Sequence, residues 1–154
     1  MKKIIKFAAA GCLAACAALF GGCADTTTYS GEVSYVEYGT NYGIKVNVEV
    51  QGDKISKVTV VDSDYVSASP SGWNSDPWFN NLSNLLAAYR GKTVEEILSK
   101  KVATYAVTEG NAPYAKDDAQ FKNFGDEFII TGATLGSARL MLAVQNALQK
   151  VNAQ

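Results

Sequence analysis

The stretch Tyr42-Gly43-Ile44-Lys45-Val46-Asn47-Val48-Glu49-Val50, followed by Gln51-Gly52-Asp53-Lys54, decides the fold. Ile44, Val46, Val48 and Val50 alternate with Lys45, Asn47 and Glu49, so one face is apolar and the other is polar. That period of two predicts a half-buried strand. Gln51 to Lys54 has the composition of a hairpin turn, and Ile55, Val58, Val60 and Val61 form the returning strand. Upstream, Tyr29, Gly31, Val33 and Tyr35 alternate with Ser30, Glu32, Ser34 and Val36, and Gly39-Thr40-Asn41 punctuates the join. A three-stranded antiparallel meander with one apolar face is therefore expected.

Beyond it the pattern changes. Asp62 to Asn81 reads as a long loop rich in Ser, Asp, Pro, Gly and Trp, of a length that is functional or disordered in compact domains. A helix is predicted from Trp78 or Phe79 to Tyr89, with Leu82, Leu85, Leu86 and Tyr89 inward and Gly91 as its stop. Thr93-Val94-Glu95-Glu96 is a capping box opening a short helix that runs through Leu98 and Lys101. Val102 to Gly125 reads as loop with a little strand, and Glu127 to Ile130 as a short strand. Thr134 to Asn152 is strongly helical, with Leu140, Val144, Ala147 and Val151 in one stripe and Leu135, Ala138 and Leu142 beside it. The class is α+β: an antiparallel sheet with an N-terminal three-stranded meander, packed by helices that include a long C-terminal one.

The front of the chain is different material. A basic start, Met1 to Lys6, precedes the apolar run Phe7 to Gly22, which is shorter than the ~20 residues of a permanent span and reads as a secretory signal. All three cysteines of the 154-residue chain, Cys12, Cys16 and Cys23, lie here. Leu19-Phe20-Gly21-Gly22-Cys23 resembles a lipoprotein processing site. Leu13-Ala14-Ala15-Cys16 fits that pattern too, but cleavage there leaves apolar Ala17 to Phe20 at the new N-terminus. A plain cleaved signal would leave the cysteines unexplained. The preferred division is a lipoprotein signal peptide at 1–22, a tether at 23–28 carrying lipid on Cys23, and one domain at 29–154. The expected location is the extracytoplasmic face of a cell membrane, held by the lipid.

Composition removes several chemistries. No cysteine follows Cys23 and the chain holds no histidine, which excludes thiol catalysis, Ser-His-Asp triads and histidine metal sites from the domain. A net charge of -1 with lysines spread singly gives no footprint for nucleic acid. Asp62 with Asp64, and Asp117 with Asp118, are acidic pairs of the kind normally solvated in polar loops.

The informative stretch is Thr131-Gly132-Ala133-Thr134-Leu135-Gly136-Ser137, between the expected short strand and the last helix. Gly132 and Ala133 let the backbone approach a ligand closely. Unpaired first-turn amides, with the helix dipole behind them, suit a phosphate. Thr131, Thr134 and Ser137 add hydroxyls, although Thr and Ser at a helix start also serve as plain caps. Arg139 could neutralise a phosphate or sit at the surface.

With these residues the chain resembles the FMN-binding domain family, found in subunits of the sodium-pumping NADH:quinone oxidoreductase, its ferredoxin-linked relative and many small lipoproteins. Thr131-Gly132-Ala133-Thr134 matches the family signature, Ala138 to Leu148 matches its helix, and the Val46-to-Ile55 hairpin matches its opening. The resemblance implies FMN bound by Thr131, Gly132, Ala133, Thr134, Leu135 and Ser137, with its phosphate esterified to Thr134 by a dedicated flavin transferase. It departs from the family at Phe128, where an Asp is usual, and at Gly136, where Thr or Ser is common. Trp73, Trp78, Tyr105, Tyr114 and Phe121 are candidates to border the flavin ring, although core packing explains each of them singly. The implied role is an electron carrier between membrane or extracytoplasmic redox proteins. The alternatives are a binding or structural surface lipoprotein without flavin, or a reductase with its own small substrate.

Overall fold

The computed structural model describes residues 25–37, 40–63, 77–102, 124–131 and 133–153. Three strands, β1 (Thr26–Glu37), β2 (Thr40–Gln51) and β3 (Lys54–Ser63), form an antiparallel sheet in the order β1-β2-β3. The helices are α1 (Pro77–Ala88), α2 (Val94–Leu98) and α3 (Thr134–Leu148), with a 3-10 turn at Asp126–Phe128 before α3. The α+β class and its meander are as expected.

The alternation in β2 sorts the faces as read: Ile44, Val46, Val48 and Val50 are all buried. β1 begins earlier than expected, because Thr26, Thr27 and Thr28 pair with Gln51, Val50 and Glu49 instead of belonging to the tether. β-branched threonines suit that extended pairing. β3 departs more instructively. Its register slips twice against β2, so that Val50 pairs with Ile55 but Glu49 with Lys57, and Lys45 pairs with Asp62 but Val46 with Val60. Each slip inserts one residue, Ser56 in the first and Val61 in the second, as a bulge does. The first slip lets Ile55 and Val58, three residues apart, both face inward, and Ser56 donates its hydroxyl to Glu49 O at 3.1 Å. The second turns Val61 outward to 54% exposure.

α1 buries Trp78 and Leu85, and Tyr89 just past its end is buried too, with Leu82 and Leu86 packed at the margin. Gly91 follows with φ +81, a left-handed conformation suited to glycine just past a helix. Thr93 caps α2 by accepting from Glu96 N at 3.1 Å. The other half of the expected box is redirected: the Glu96 carboxylate accepts from Lys92 Nζ at 2.8 Å. Lys92 also reaches Glu127 at 3.4 Å, tying the start of α2 to the 3-10 turn.

α3 is the central element. Ala138, Leu140, Met141, Ala143, Val144, Ala147 and Leu148 are fully buried, so nearly every face is covered, as expected of a helix that is apolar almost all round. Buried Gln145 donates from Nε2 to Ile97 O at 2.9 Å and Lys100 O at 2.8 Å, satisfying carbonyls at the end of α2. The seat of α3 on the sheet is Gly31. A Cβ there would collide with Ala143 O and Ala147 N and stand 2.9 Å from Ala147 Cα. Among the described residues, no helix is long and apolar enough to cross a membrane.

Tyr89 is fully buried, with its hydroxyl directed at Met141 Sδ at 3.8 Å. Burial pushes its phenol far above the ordinary tyrosine value. The unfolded chain therefore releases this proton from about pH 10 upward while the folded chain retains it, so stability falls as pH rises past that point. Tyr89→Phe is expected to flatten the alkaline loss by up to about 1.4 kcal/mol per pH unit above pH 10, measured as the denaturation midpoint between pH 8 and 11.5.

Candidate functional site

The candidate turn is reached from the 3-10 segment. Gly125, at φ +102, starts it, and Phe128 and Ile130 point into the core while Ile129 stays half-buried. The short strand expected at Glu127 to Ile130 does not form. Residues 126–128 coil as a 3-10 turn, with Phe128 N donating to Gly125 O at 3.0 Å and Ile129 N to Asp126 O at 3.1 Å. Four residues cannot fix a strand unless a neighbouring edge accepts their backbone bonds. Ala133 N then donates to Ile130 O at 2.9 Å, closing the turn that leads into α3.

At the head of α3 the N-cap position falls on Ala133, which supplies no side-chain acceptor, and the first turn holds no acid. The first helical bond runs from Ser137 N to Ala133 O at 3.0 Å. Thr134 is thus the first helical residue and not the cap. Thr134, Leu135 and Gly136 are half-buried, and Thr131 is exposed in the turn. A helix start lacking both a capping oxygen and a carboxylate keeps its partial positive charge available to an anion.

Two of the expected contacts have other uses. The Ser137 hydroxyl is buried, accepts from Ile130 N at 2.9 Å and donates to Ala133 O at 3.0 Å. It ties the turn to the helix rather than facing a ligand, as serines that bond back by four residues do. Trp78, a candidate for the flavin border, is instead in the core, with its ring against Gly136, where a Cβ would stand 2.9 Å from Trp78 Cε3. That contact leaves no room for a side chain at position 136 unless Trp78 moves. Its signal in the sequence was a glycine inside a helical pattern, which often marks close approach.

Arg139 is not at the surface. It is 2% exposed, with its guanidinium carbon 3.6 Å from the centroid of the Tyr35 ring. Tyr35 in turn stacks on Tyr42, its cross-strand partner, at 5.7 Å. A buried guanidinium on an aromatic face is a stabilising cation–π contact of about 0.5–2 kcal/mol.

Phe128 is completely buried against Tyr89, with ring centroids 4.8 Å apart. The nearby acids Asp126 and Glu127 are exposed. The Glu127 carboxyl lies below the ordinary range, held there first by its own backbone N–H and then by Lys92. Cys23, Asp64, Trp73, Tyr105, Tyr114, Asp117, Asp118, Phe121 and Gly132 lie outside the described residues, as does the side chain of Asp62. Among the described residues, no group of three His, Cys, Asp or Glu could hold a metal ion.

No family model, curated protein or solved structure matches the chain.

Proposed function

We propose that this is an exported, lipid-tethered flavoprotein that holds the phosphate of FMN at the head of α3, esterified to Thr134, and carries electrons between membrane or extracytoplasmic redox proteins. The observation that carries this reading is the uncapped helix start. Ala133 occupies the N-cap, no acid occupies the first turn, and Thr134 is the first helical residue. A phosphodiester there would remain anionic and face the free end of the helix dipole. Thr134 and the turn backbone would hold the phosphate, Arg139 would add positive charge, and Ser137 would keep the turn in shape. FMN itself would supply the redox chemistry, as cofactors do. No transformation of a small substrate by the domain is needed.

Ser137 and Trp78 favour a second reading, because one is occupied by the turn and the other fills the space over Gly136. On that reading the chain is a surface lipoprotein with a binding or structural role and no flavin.

Intact-mass measurement after co-expression with a flavin transferase separates the two. The exported protein should gain one flavin-phosphate increment and a yellow colour, Thr134→Ala should lose the increment completely, and Thr131→Ala should keep it. Protein that stays colourless and unmodified with the transferase, and after incubation with free FMN, would establish the second reading.

A further inference from the structure

β1 lies at an edge of the described sheet, where backbone groups pointing away from β2 are a template for another strand. Two consecutive outward carbonyls of this edge are already taken by side chains of α3. Asn146 Nδ2 donates to Glu32 O at 2.7 Å, and Lys150 Nζ donates to Ser30 O at 2.6 Å. The spacing matches physically. Two residues of strand rise about 6.8 Å and four residues of helix about 6.0 Å, so an i, i+4 pair on the helix meets an i, i+2 pair on the strand. Gly31, between the two carbonyls, lets α3 come close enough for both side chains to reach, since its missing Cβ admits Ala143 and Ala147.

We infer that Asn146 and Lys150 guard the β1 edge, and that the surface they cover would otherwise pair with the β1 edge of a second copy of this chain. Both side chains are exposed, so they contribute little burial to the core, and the inference is independent of flavin binding. The charged lysine adds a further barrier, because bringing two copies edge to edge would bring two ammonium groups together.

The test is sedimentation velocity of the mature chain over a concentration series, with circular dichroism to verify the fold. Asn146→Ala combined with Lys150→Ala should raise self-association about tenfold or more over the parent, and each single change should raise it less. Lys101→Ala, which removes an exposed lysine elsewhere, should leave the mass unchanged. Adding Glu32→Pro to the double variant removes the outward N–H beside the freed carbonyl, as proline does on natural edges, and should return the parent behaviour. A folded double variant that keeps the parent's mass at every concentration would overturn the inference, and so would association that persists with the proline. Should the double variant fail to fold, the folded single variants decide by the same criterion.

Discussion

Gly31→Ala is expected to lower stability by about 3 kcal/mol or more, the upper end of what overpacking costs, whereas Gly43→Ala in the neighbouring strand is expected to be neutral or slightly stabilising. The two glycines sit in adjacent strands and differ in what a methyl group would meet. At Gly43 it would stand 3.5 Å from Val33 O, an ordinary contact. At Gly31 it would overlap main-chain atoms of Ala143 and Ala147 in the middle of α3. Removing a strand glycine gains roughly 0.5–1 kcal/mol by restricting the unfolded chain. That gain decides the outcome at Gly43 and is overwhelmed at Gly31, because backbone cannot swing aside as a side chain does. The helix must lift off the sheet, loosening Val144 and Leu148 as well. Against a total of about 5–15 kcal/mol for a domain, this is a large fraction. Chemical denaturation of the two variants measures the contrast, and equal midpoints would remove the close packing of α3 on β1 from the account.

The meander was legible because its signals are local. Alternation set the faces of β2, and Gly52, at φ +63, occupies the predicted hairpin turn. The edges of that reading failed where pairing, not pattern, decides. Val61 has the composition of a core residue, and only the second register slip turns it out. Phe128 and Ile130 alternate like a strand, yet the chain coils at Asp126 because the backbone bonds are made locally. At the candidate site, the sequence located the turn and the helix that follows it. Which hydroxyl would be spent inside the turn depends on the position of the cap, and that fell on Ala133, leaving Ser137 four residues on to bond back. Arg139 read as either a phosphate partner or a surface cation, and its burial was not legible because the Tyr35 face that covers it lies about a hundred residues earlier in the sequence.

Phe128→Asp is expected to unfold the domain at neutral pH. Phe128 is fully buried and meets Tyr89 at 4.8 Å. Removing a buried phenyl group costs about 3–5 kcal/mol, and leaving a carboxylate in its place adds the cost of burying a charge. Lys92 and Lys100 lie 5.6 and 5.7 Å from the ring and offset part of that charge. Lys92, however, is already shared between Glu96 and Glu127. Burial raises the folded-state pKa of the introduced acid above its unfolded value of about 3.9. The charge penalty is therefore present at neutral pH and relieved as pH falls toward the unfolded value. Part of the lost stability should return near pH 4.5, while the share due to the missing ring does not. Asp126→Asn, at an exposed position, should stay within about 0.5 kcal/mol of the parent. If Phe128→Asp melts like the parent at pH 7, Phe128 is not the core residue described. In the packing observed, the acids of this turn that reach solvent are Asp126 and Glu127, and position 128 is closed to a charge.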